Sequence, residues 1–185
     1  MRHGINLRVS PEFTTLFSAS ANASAALAGL LFLAVTVGSV PTVGPRAPVE
    51  RRTVAASSFL ALVNAFFLSM GALIPGANFG TIALPVGIVC FISTVRIGQE
   101  LAAGPRTALD RVRRVVLVAV SGLLFAIESW QGLQLLLRPD DRGPVAVIAS
   151  MLLPVYFVGI VRAWELLGAQ RYSLLARLSP LRDLD

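Results

Sequence analysis

No charged side chain interrupts residues 13–45, and none interrupts residues 53–95. An apolar run beyond ~18 residues reads as a membrane span, because ~20 residues rising ~1.5 Å each cross the ~30 Å hydrocarbon layer. Composition agrees: the chain is 55% hydrophobic and only 14% charged, with mean hydropathy +0.74. A soluble domain of 185 residues would carry far more charge. Within lipid the backbone must satisfy its own hydrogen bonds, so the spans are helices or a closed barrel. Barrel strands of ~10 residues alternating between turns are absent from this sequence. The expected fold is an all-α integral membrane bundle of about five transmembrane helices, forming a single transmembrane domain over residues 1–185.

The first span is expected over residues 13–40. It is too long for a signal peptide and opens on small and polar residues, so it is retained as a span. Residues 53–95 are too long for one helix and break at Ile74-Pro-Gly-Ala-Asn-Phe-Gly80, where Pro and Gly favour a tight turn. That gives spans over 53–73 and 78–95. Residues 96–114 hold five Arg with Glu100 and Asp110, and their 106–114 part reads as a short interfacial helix. A fourth span over 115–137 and a fifth over 144–167 flank the polar turn 138–143. The tail 168–185 sets leucines among Arg171, Arg177 and Arg182 and reads as an amphipathic cytoplasmic segment on the membrane surface.

All sixteen basic residues are Arg. They flank apolar spans and form no aromatic-interleaved basic patch, which points to anionic headgroups and away from nucleic acid. The loops after spans one and three hold three and five Arg, and Arg162 with the tail adds four, twelve on one side. The amino terminus and the 138–142 turn hold two each, four on the other. Positive charge stays cytoplasmic, so the amino terminus is expected outside and the carboxyl terminus in the cytoplasm. Trp164 and Tyr172 near the inner end of span five suit an interfacial aromatic belt.

Two stretches carry a resemblance: Ala25-Ala-Leu-Ala-Gly-Leu-Leu-Phe-Leu-Ala-Val35 in the first span and Arg162-Ala-Trp-Glu-Leu-Leu167 closing the last. They resemble a family of small uncharacterised multi-span membrane proteins of actinobacteria and related bacteria. The resemblance implies the multi-span architecture and a bacterial plasma-membrane location, and no activity.

Absences narrow the chemistry. His3 is the only histidine and lies outside every span, which leaves no bis-histidine haem, Ser–His protease or HExxH zinc site within one chain. No Asp falls within a span, which removes a two-aspartate membrane protease; there is no Lys for a Schiff base and no repeating Arg for a voltage sensor. Cys90 stands alone, so there is no intrachain disulfide or cysteine metal cluster. No catalytic residue, cofactor or metal site is expected. Thr36-Val-Gly-Ser-Val40 echoes a potassium filter but ends a continuous span, and the Asn22-Ala-Ser24 sequon lies inside one.

Two features remain. Ala21, Ala25 and Gly29 recur every fourth residue, as do Ser20, Ser24 and Ala28, and small residues on one face let another helix approach closely in lipid. The first of these faces is the expected helix-packing face, within the chain or against a partner. Asn22, Asn64 and Glu128 each lie nine residues inward from the outer ends of their spans, about 14 Å deep, and form a candidate intramembrane polar site. An embedded carboxylate costs ~2.5–3.5 kcal/mol on insertion scales, so Glu128 is expected to be neutral or to meet the amide donors of the two Asn residues. Two functions stay open: a membrane scaffold or accessory subunit, in a homo-oligomer or with a membrane partner protein, or a small proton- or cation-linked transporter or channel centred on Glu128. The twelve-to-four Arg split yields a direct test: a reporter fused after Asp185 should behave as cytoplasmic and one inserted at residues 138–142 as external.

Overall fold

The computed structural model describes residues 11–37, 49–102 and 108–166. It is all-helical there: α1 (Pro11–Val37), α2 (Val49–Leu73), α3 (Gly80–Ala102), α4 (Ala108–Leu137) and α5 (Gly143–Leu166). Each helix is long and apolar enough to cross a membrane, so the chain has the architecture of a multi-pass membrane protein. The apolar stretches within them are Phe13–Thr36, Arg51–Leu73, Gly80–Glu100, Val115–Leu137 and Gly143–Leu166. One expectation is corrected. Residues 108–114 do not form a separate interfacial helix, because α4 runs unbroken from Ala108 through the fourth span. The amphipathic tail expected over 168–185, with Tyr172, lies outside the described residues.

The turn between α2 and α3 shows how local sequence sets the fold. Gly76 adopts φ +75°, a left-handed conformation that favours glycine. Asn78 then caps α3: its Oδ1 accepts the Gly80 N–H at 2.9 Å, and its Nδ2 donates to the Leu135 carbonyl of α4 at 3.3 Å. Asp141 does the same for α5, accepting the Gly143 N–H at 2.9 Å. Both turns thereby satisfy helix ends that would otherwise leave bare N–H groups near lipid.

In the bundle α2 is central, packing against α1, α3 and α5, while α4 packs on α3 and α5. Among the described helices α1 touches only α2 and α5. Phe17, Ala65, Leu68, Phe79, Ile148 and Leu152 anchor the main core, with the Phe17 and Phe79 rings edge to face at 5.7 Å. Large apolar side chains such as Phe32, Phe157 and Leu153 point outward, as a lipid-facing exterior requires. Lipid gives no hydrophobic drive for helices to associate, so close packing and interhelical hydrogen bonds carry the association.

Close packing is most evident between α3 and α4. A β-carbon at Gly132 would lie 2.5 Å from the Leu84 nitrogen, and one at Gly80 would lie 2.6 Å from the Gly132 carbonyl oxygen. Backbone meets backbone there, with nothing flexible to yield. On the other side of α2, Ser58 Oγ donates to the Gly159 carbonyl of α5 at 2.7 Å. Gly132→Leu should therefore separate α3 from α4 and lower stability by about 1–3 kcal/mol or more in a detergent unfolding titration. An unchanged midpoint would contradict the contact.

Candidate functional site

The carboxyl of Glu128 is buried at the meeting of three helices. From α2, Asn64 Nδ2 donates to Glu128 Oε1 at 3.0 Å and to Oε2 at 2.9 Å. From α3, Cys90 Sγ lies 3.6 Å from the same Nδ2, a distance suited to a weak sulfur acceptor. All three side chains are buried. The amide thus places its two N–H bonds against a carboxyl group and a sulfur in the buried interior, which is how an intramembrane polar group keeps its cost down.

Gly87 makes this geometry accessible. A β-carbon there would lie 2.6 Å from Ser129 Oγ and 3.2 Å from Glu128 Oε1, so only glycine lets α3 settle against the α4 turn that carries the carboxyl. Ser129 bonds its own helix, donating to the Phe125 carbonyl at 2.8 Å, and leaves Glu128 to Asn64. Asn64 Oδ1 is buried and has no hydrogen-bond partner among protein atoms. An unpartnered buried acceptor costs about 1–3 kcal/mol, so this oxygen marks where a further donor belongs.

The structure joins two of the three expected polar residues and separates the third. Asn64 and Glu128 meet as the sequence suggested. Asn22 does not join them: it is exposed on α1, and α1 does not touch α4. The inner face of α1 is instead occupied by Phe17, Ser20, Ala21, Ser24 and Leu31. The expected helix-packing face turns inward only at one end, so along most of its length it does not pack within the chain. Ala21 is buried, but Ala25 and Gly29 are exposed, and a β-carbon on Gly29 would meet nothing within 4 Å. It is the alternative face, Ser20, Ser24 and Ala28, that turns inward.

That inner face builds a second polar knot that sequence reasoning missed. Ser69 of α2 donates to Ser20 Oγ at 2.7 Å, Ser20 Oγ lies 2.8 Å from the Tyr156 hydroxyl of α5, and Tyr156 donates back to the Ser20 carbonyl at 2.5 Å. Ser24 shares that carbonyl at 2.7 Å. Three helices are tied together, and none of these groups is charged. Arg162, counted in the sequence as a topology charge, is a buried side chain of α5 that pairs with Glu165 at 3.3 Å.

Among the described residues no group of three or more His, Cys, Asp or Glu comes together to hold a metal ion. No family model, curated protein or solved structure matches this chain. The Asn64–Cys90–Glu128 cluster itself offers hydrogen bonding and proton exchange at the Glu128 carboxyl. Glu128→Gln should change unfolding free energy in detergent by less than about 1 kcal/mol, because an amide keeps the shape and an acceptor for Asn64. Glu128→Leu should cost about 1–3 kcal/mol by stranding the buried Asn64 amide. Equal losses in the two variants would contradict the hydrogen-bonding role.

Proposed function

We propose that this chain is a membrane scaffold or accessory subunit of a bacterial plasma membrane, with its amino terminus outside and its carboxyl terminus cytoplasmic. In this account it associates with another transmembrane helix through the outward face of α1. The observation that carries it is Asn22. This amide lies inside a membrane-spanning helix and is exposed, among Ala23, Ala25, Ala26 and Gly29, which are also exposed. Facing hydrocarbon, it lacks donors and acceptors and costs free energy; facing a second helix, it forms an interhelical hydrogen bond, and the small residues beside it allow that helix to come close. The occupant that needs no further component is a second copy of the chain, since two α1 helices related by a two-fold axis bring one Asn22 beside the other. Anionic headgroups on the cytoplasmic side hold the Arg-rich ends, and no enzymatic activity enters this role.

Transport of protons or cations through Glu128 is the alternative, favoured by a carboxyl set where three helices meet. It ranks second because Gly80 and Gly132 press α3 and α4 backbone to backbone along the turns that lead from Glu128 toward Leu137.

Cross-linking distinguishes these outcomes. With Cys90→Ala as background, Ala25→Cys should form a disulfide-linked dimer in membranes, and Asn22→Leu or Gly29→Leu should abolish it. A monomer that copurifies with one defined membrane protein through α1 would support the accessory role without self-association. A monomer whose behaviour neither substitution alters would overturn the docking role. Proton- or cation-linked flux in reconstituted vesicles that vanishes in Glu128→Gln would establish the alternative.

A further inference from the structure

Ser57 and Ala61 of α2, Thr94 of α3, Ser121 and Phe125 of α4 and Arg162 of α5 help line a cavity of about 20 Å³. Its position relative to Glu128 is fixed by helix register. Ala61 precedes Asn64 by three residues, Phe125 precedes Glu128 by three, and Thr94 follows Cys90 by four on the oppositely running α3. On all three helices the cavity wall thus lies one turn, about 5 Å, from the buried polar cluster, on the same side of it. Thr94 also ties the two directly, because its hydroxyl donates to the Cys90 carbonyl at 2.8 Å.

The hydrogen bonds of the wall decide what the cavity takes. Ser57, Thr94 and Ser121 each spend their hydroxyl proton on a carbonyl of their own helix, at 3.0, 2.8 and 2.9 Å. Their oxygens therefore face the cavity as acceptors. Arg162 is the donor of the set, and its charge is balanced by Glu165. An anion would find one donor and three acceptors, and a metal cation would meet the guanidinium. Water matches both kinds of group, and the volume exceeds the ~10–15 Å³ that one molecule needs. One turn away, outside the cavity wall, Asn64 Oδ1 is buried with no hydrogen-bond partner among the protein's own atoms.

We propose that this cavity is a one-sided water inlet to Glu128. One water, held by the Arg162 guanidinium and the hydroxyl oxygens, connects the aqueous phase at the carboxyl-terminal end of α5 with the Asn64–Cys90–Glu128 cluster. The cavity wall stands one turn from the cluster, so a proton reaching this water as hydronium passes through a transient second water to a carboxylate oxygen of Glu128 and leaves neutral water behind; the reverse step returns it to the same side. The titratable group facing Glu128 from α3 is Cys90; α2 contributes the neutral Asn64, α5 brings the Arg162–Glu165 pair to the cavity, and α1 does not touch α4. Toward the opposite side α3 and α4 press together where Gly132 meets the Leu84 backbone. The inlet is independent of the docking role proposed for α1, and on its own it supports proton exchange with one compartment only.

Two measurements test it. In the Cys90→Ala background, Thr94→Cys in sealed vesicles should react with Ag⁺, a water-sized thiol probe, when the ion is added on the carboxyl-terminal side. Modification from the other side should be slower, on the order of tenfold or more, and filling the cavity by Ser121→Leu should protect the thiol. Ser69→Cys, buried in α2 but outside the cavity wall, should stay unreactive from both sides. Equal rates from the two sides, or no reaction from either, would overturn the inlet. The second measurement leaves the cluster intact: deuteration of the Glu128 carboxyl, followed by its infrared C=O band and assigned by the band's loss in Glu128→Gln, should be markedly slower in Ser121→Leu. Deuteration at the native rate in that variant would refute the path.

Discussion

A carboxyl group in the middle of a membrane has to be solvated by protein, and here a single amide does most of that work. From α2, Asn64 reaches across the bundle to both oxygens of Glu128 on α4, and the consequences spread outward from that contact. For the amide to reach, α2 must occupy the centre of the bundle, in contact with α1, α3 and α5. For α3 to lie beside the carboxyl, position 87 must lack a side chain. For α4 to hold its height, Gly80 and Gly132 must let the two backbones touch. None of these conditions is a hydrophobic one, as expected where lipid and side chains are equally apolar.

The remaining polar groups follow the same economy. Serine and threonine hydroxyls bond back to carbonyls of their own helix, so they cross the membrane at little cost. Where hydroxyls reach between helices, as in Ser69–Ser20–Tyr156 and Ser58–Gly159, they add polar ties between helices whose Phe17, Leu68 and Ile148 side chains also pack together. The buried Arg162 is paired with Glu165 one turn along its own helix. Two polar side chains among the described residues stand apart: Asn64 Oδ1 is buried without a partner one turn from the cavity, and Asn22 is exposed on α1.

Much of this was legible in the sequence because membrane thickness converts residue counts into height. The uncharged blocks and the Pro75–Gly76 break located the spans to within a few residues, and counting inward placed Asn64 and Glu128 at one level, where they meet. Counting gives height and not direction. Asn22 stands two residues from both Ser20 and Ser24, about 200° around the helix from each, so the residues that turn those serines inward turn Asn22 outward. The Ala21–Ala25–Gly29 stripe leaves the chain's own core for a related reason. Each four-residue step rotates about 40°, and two steps carry the stripe from the buried face to the lipid face. Choosing between it and the Ser20–Ser24–Ala28 stripe requires knowing where α2 lies, and one helix's sequence does not hold that information. Cys90 and Gly87 were passed over because each is unremarkable alone; their importance comes from Glu128, which sits on another helix.

The account depends on Asn64 and Glu128 acting as a pair, and a double-mutant cycle measures that pairing. Unfolding free energies in detergent would be compared for the native chain, Asn64→Leu, Glu128→Leu and the double variant. Polar contacts in membrane bundles couple by roughly 0.6–1.7 kcal/mol, and a carboxyl held by both oxygens belongs at the upper end of that range. The account predicts that the double variant loses less than the two single variants together by about that amount, since removing one partner already strands the other. Strict additivity would mean that the two side chains are neighbours without being partners, and would contradict the solvation of Glu128 on which this bundle is built.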